Sequence, residues 1–199
     1  MYPQTNSHIL RLLGRASMRL SGWRFVGPLP DLHKFVIVVA PHTSNWDFFA
    51  GVQAKWALGL DAHWLGKASL FVGPVGSVLR SMGGRPVNRE SAEGVVGDVA
   101  ATLASESQFV LALAPEGTRR PVSEWKTGFY RIAMAARVPI VPVALDWSRR
   151  EVIIYPPFNP SGALDRDLEF LLLRHRANGT RARQALLNLT ERYRCIGKK

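Results

Sequence analysis

Short apolar strands alternating with amphipathic helices predict an α/β fold: a single layered domain with a mostly parallel central sheet, an N-terminal amphipathic helix and C-terminal helices. Three observations carry that prediction. Residues 35–39, 62–65, 109–114, 139–145 and 151–155 are short apolar runs, several of them β-branched, broken by glycine, proline or polar residues, as buried strands are. The stretches between most of them repeat apolar residues at helical spacing. Finally, 199 residues, 47% of them hydrophobic, suit one sizeable core and show no internal repeat or low-complexity tract.

Taken in order, residues 5–22 predict a helix. Ile9, Leu12, Leu13, Ala16 and Leu20 form an apolar stripe, and Arg11, Arg15 and Arg19 recur every fourth position on another face. Trp23 and Phe25 mark its exit. Such a helix can lie in the interface of an anionic membrane, or pack on its own domain with a solvated basic side. Gly27-Pro28-Leu29-Pro30 leads into the first strand, at 35–39. Ser44 or Asn45 can then cap a helix over 46–58 whose apolar face carries Phe48, Phe49, Val52 and Trp56, and which stops at Gly59. A strand at 62–65, one or two short helices around Pro74, an extended piece at 86–88 and a helix over 90–107 follow. After the strand at 109–114 come a polar loop, a helix over 127–137 and strands at 139–145 and 151–155. Pro139 and Pro142 cannot donate to a ladder, which places their strand near a sheet edge. Two terminal helices, 163–175 and 180–194, are split by Asn178-Gly179.

The charge narrows the partners. Lysine and arginine exceed the acidic residues by 26 − 15 = 11, which favours an anionic phospholipid surface, a nucleic acid, a phosphorylated substrate or an acidic carrier protein. No nucleic-acid motif accompanies it, and the aromatic residues sit in apolar runs rather than among basic ones, which argues against nucleic acid. No apolar run reaches the length that spans a bilayer, and arginines from Arg11 onward interrupt what would be the apolar part of a signal peptide. A lone Cys195 allows no internal disulfide, which fits a reducing compartment.

The chemistry gathers after the strands. His42 and Asp47 straddle the corner from the first strand into the next helix, at the sheet end where ligands bind in open α/β proteins. A neutral imidazole there can take a proton from an alcohol while the carboxylate holds its tautomer. On this segment alone, a histidine beside a capping carboxylate is the simpler account. Gly83-Gly84-Arg85-Pro86-Val87-Asn88-Arg89 sets two arginines beside a glycine pair, a combination suited to phosphate or to a solvated basic turn. Ala114-Pro115-Glu116-Gly117-Thr118-Arg119-Arg120 shares the carboxyl-end crevice with His42, and Lys126 precedes a helix start that favours anions.

Together, His-x-x-x-x-Asp, the glycine-rich turn ending in Arg89, Glu-Gly-Thr-Arg and Val-Pro-Ile-Val-Pro resemble, in order, the four blocks of the glycerolipid acyltransferases, typified by 1-acylglycerol-3-phosphate acyltransferase. The resemblance implies an O-acyltransferase that moves an acyl group directly from acyl-CoA or acyl-acyl carrier protein to the hydroxyl of a lysophospholipid, such as 1-acylglycerol-3-phosphate, with no metal and no further cofactor. In it His42 is the base and Asp47 its orienting carboxylate. Arg89 and Arg119 bind the acceptor phosphate with help from Lys126, and Glu116, Gly117 and Thr118 shape the acceptor site. It also implies action at the cytoplasmic face of a membrane, peripheral or monotopic, with residues 1–26 as a membrane-surface helix and 27–199 as the acyltransferase domain. Arg85, Asn88 and Ala114 stand where family members often carry an apolar residue, an aspartate and a phenylalanine. That leaves room for another acceptor, such as a lyso-ornithine lipid or glycolipid. A non-catalytic protein binding membrane or nucleic acid is the alternative outside the family.

Overall fold

The computed structural model describes residues 1–42, 44–87, 92–117 and 124–175. Among these residues the strands are β1 (Arg24–Val26), β2 (Lys34–Val39), β3 (Ala62–Lys67), β4 (Gly84–Val87), β5 (Phe109–Leu113), β6 (Ile140–Asp146) and β7 (Glu151–Ile154). The helices are α1 (His8–Ser21), α2 (Asn45–Leu58), α3 (Gly73–Ser81), α4 (Ala92–Ser105), α5 (Gly128–Ala136) and α6 (Leu164–Arg174). The strands form one sheet in the order β1-β7-β6-β2-β5-β3-β4. Every pairing is parallel except β6 with β7.

Side-chain alternation along β2 builds a core on each face. Phe35 and Ile37 pack with Met18 of α1 and Ala50, Ala54 and Ala57 of α2. Val36 and Val38 pack on the opposite side with Leu103 of α4, Phe129 and Ile132 of α5 and Leu168 of α6. The helix that follows β2 therefore covers one face, while the helix that follows its neighbour β5 covers the other. This opens a crevice at the carboxyl ends of β2 and β5, the topological switch point of the sheet.

The structure departs from the sequence expectations in three places. Residues 24–26, expected as the aromatic exit of the first helix, form an edge strand paired with β7. β6 lies inside the sheet rather than near an edge, buried along its length between β7 and β2. Pro142 is tolerated there because its nitrogen points the same way as that of Ile140, whose N–H donates to the Phe158 carbonyl at 2.8 Å, on the side where β7 has already ended. On α2 the buried face is Ala50, Val52, Ala54 and Ala57, while Phe49 is 56% exposed. Small residues face inward because α2 is sandwiched between the sheet and α1. Gly14 of α1 meets it so closely that a Cβ there would stand 2.4 Å from the Ala57 nitrogen.

The orientation of α1 combines features of the two arrangements its sequence allows. The helix docks through Leu10, Arg11, Gly14 and Met18, and turns its apolar stripe outward, with Leu12 71% and Leu20 90% exposed. It packs on its own domain with Arg15 and Arg19 exposed, and the apolar stripe stays outside as well. No helix among the described residues is long and apolar enough to cross a membrane. The helix expected at 180–194 lies outside the described residues.

Candidate active site

His42 follows β2, past a cis Ala40–Pro41 peptide. Ser44 caps α2 from an extended conformation (φ −142°, ψ 157°), accepting the Trp46 N–H at 3.1 Å. Asp47 completes a capping box by accepting the Ser44 N–H on Oδ2 at 2.7 Å. The same Oδ2 lies 3.5 Å from His42 Nδ1. The capping role and the partnership with histidine therefore coexist in one carboxylate. Asp47 is buried, its side chain 1% exposed, whereas the imidazole is 21% exposed and reachable from the cleft.

The second oxygen of Asp47 is held from the far side of the sheet's centre. Oδ1 accepts the indole N–H of Trp147 at 2.6 Å. Trp147 stands in the β6–β7 turn, which Asp146 organises by accepting the Ser148 and Arg149 N–H groups (3.0 and 3.1 Å) and the Ser148 hydroxyl (2.7 Å). Trp147 also packs edge-on against Trp23, with ring centroids 4.9 Å apart. Two donors from separate elements thus define the plane of the carboxylate that faces the imidazole.

Glu116 closes the arrangement from β5, the neighbour of β2. Its Oε2 accepts the backbone N–H of His42 at 2.7 Å. Burial drives the Glu116 pKa up to about 7; the His42 N–H opposes the shift and the Asp47 charge adds to it. Gly117 takes φ +62°, and a Cβ there would stand 3.0–3.1 Å from the Lys126 side chain. Lys126 is anchored by its N–H to the Pro115 carbonyl (2.8 Å) and places an exposed cation over this turn. The geometry offers a proton acceptor, a fixed carboxylate behind it and a positive charge nearby.

A family model described as Acyltransferase matches residues 27–146, more than half of the chain. The chain belongs to the acyltransferase family. Among solved structures, it is similar to the crystal structure of the 1-acyl-sn-glycerophosphate (LPA) acyltransferase, PlsC, from Thermotoga maritima. That match has a TM-score of 0.59 and 17% identity, and covers 90% of this chain and 78% of the other. At that identity the likeness shows the shared fold. No curated protein matches the sequence.

Of the residues expected to form the site of this acyltransferase, the structure brings together His42, Asp47, Glu116, Gly117 and Lys126. Arg89, Thr118 and Arg119 lie outside the described residues. Glu116 turns its carboxylate toward the His42 backbone, so its visible role is to position the histidine loop. Arg85, which differs from the common family pattern, lies over the Phe109 ring at 5.0 Å and beside His63 Nε2 at 3.5 Å. Phe109 begins β5, so Arg85 stacks at the end of the sheet opposite the cleft. Trp147 was not foreseen. It falls five residues beyond Pro142, where the last motif block ends, and only the folded β6–β7 turn brings it to Asp47.

Proposed function

We propose that the protein transfers a fatty acyl group from an acyl thioester of CoA or acyl carrier protein to the free hydroxyl of a lysophospholipid at a membrane surface. The most direct acceptor is 1-acylglycerol-3-phosphate, giving phosphatidic acid. The observation that carries this reading is the His42 imidazole set against a buried carboxylate whose two oxygens are held by Ser44 and Trp147.

The proton inventory is simple. With Nδ1 facing Asp47, Nε2 is the nitrogen on the far side of the ring. It takes the acceptor's hydroxyl proton as that oxygen bonds to the thioester carbonyl carbon. The carbon–sulfur bond then breaks, and the imidazolium returns the proton to the departing thiolate. Asp47 holds the ring and stabilises its charged form; Trp147 and Ser44 fix Asp47, and Glu116 fixes the His42 backbone. Lys126, with Arg89 and Arg119, supplies cations for the acceptor phosphate. The excess of 11 positive charges and the outward apolar stripe of α1 support action on an anionic lipid surface, with no metal or other cofactor in the scheme.

Incubation with mixed acyl thioesters and a panel of lysolipids, read by product mass, tests the reading. It predicts a diacyl phospholipid from a phosphate-bearing acceptor. Product only from lyso-ornithine lipid or glycolipid would move the acceptor to another class. No acylated product from any of them would remove the enzymatic reading.

A further inference from the structure

The Arg11–Arg15–Arg19 row of α1 is not part of the cleft at His42. The three side chains line an open groove of about 410 Å³ between α1 and the C-terminal end of α2, floored by Met18, Trp23 and Leu58. Arg15 Nε donates to the Ala57 carbonyl at 3.3 Å, and Arg11 lies against Gly59. The negative end of the α2 dipole thus holds guanidinium groups that keep further donors available. Among the described residues no carboxylate lines the groove or pairs with any of the three arginines. Its ligand must therefore bring the negative charge. Beside it, Ile9, Leu12, Leu13 and Leu20 point to solvent on the same helix.

We propose that this groove binds the headgroup phosphate of an anionic phospholipid while the neighbouring stripe enters the acyl boundary of the same leaflet. The inference rests on the membrane-surface reading above and adds to it a defined headgroup site separate from the acceptor site. Trp23, on the groove floor, packs on Trp147, which bonds Asp47. A lipid held in the groove thus sits against the chain of contacts that ends at the catalytic cleft.

The test compares full-length protein binding to phosphatidylcholine vesicles with and without phosphatidylglycerol. Wild type should bind the anionic vesicles more tightly. Arg15→Gln/Arg19→Gln should weaken that binding by about tenfold or more, since arginines at such a surface act individually. The charge-matched Arg166→Gln/Arg174→Gln pair on α6, across the sheet, should weaken it less than about threefold. Equal losses for the two pairs would reduce the effect to overall charge and overturn the groove. Wild-type binding that is tight but indifferent to phosphatidylglycerol would overturn the groove and leave membrane association standing. Absence of binding to either vesicle would remove the membrane-surface reading and the groove with it.

Discussion

Asp47 serves two neighbours with one oxygen and a third with the other, and this sharing fixes the position and plane of its carboxylate. Ser44 and His42 meet Oδ2, and Trp147 meets Oδ1. Replacing Trp147 with phenylalanine keeps a ring against Trp23 and deletes the N–H donor. The expected result is a drop in kcat of about tenfold with KM nearly unchanged, consistent with loss of one hydrogen bond to a charged group. Steady-state kinetics beside a melting curve checks it, and an unchanged kcat would take Trp147 out of the positioning network. Glu116 makes a separate prediction. Its pKa of about 7 in the folded protein exceeds the ordinary 4.5, so the folded state binds this proton more tightly than the unfolded state. The contribution is fully present below pH 4.5 and is lost as pH rises through about 7. Glu116→Gln should abolish that loss, so the variant gains on wild type by roughly 3 kcal/mol between those limits in denaturant melts at several pH values. The His42–Asp47 pair and the Glu116 turn were legible in sequence because each is local. Trp147 was not, because it lies 100 residues from Asp47 and carries no motif.

At the scale of elements, the strands and helices were legible where pattern and boundary residues agree. Ser44 and Gly59 bound α2 as their types predict, and Gly22 closes α1 at φ +74°. β1 was missed because three residues at an edge are too few for periodicity. The inward face of α2 differs from its expected one for a physical reason. Hydrophobicity marks which residues avoid water, but close helix packing selects the smallest ones. Gly14 against Ala57 and Trp56 is the decisive contact. Gly14→Val would drive a side chain into the α2 backbone, so it should destabilise the protein by roughly 1–3 kcal/mol in chemical denaturation. A neutral result would mean that α1 does not dock as described. This packing leaves Leu12, Leu13 and Leu20 outside, where the proposed lipid contact would use them.

For the whole molecule, an α/β layered fold followed from the sequence, but the strand order did not. Sheet order depends on which faces the crossovers cover, and no single segment encodes that. The order matters because it puts β2 beside β5, so that His42 and Glu116 leave adjacent strands into one crevice. Membership of the acyltransferase family agrees with that placement, and the positive charge and outward face of α1 supply the setting. The account turns on His42 as the base for acyl transfer. The most direct test is the turnover of His42→Ala on an acyl thioester and 1-acylglycerol-3-phosphate, with phosphatidic acid read by mass and folding checked by melting. The account predicts a rate roughly 10²–10⁴-fold below wild type in a protein that melts normally. A folded His42→Ala variant that makes phosphatidic acid at the wild-type rate would contradict it.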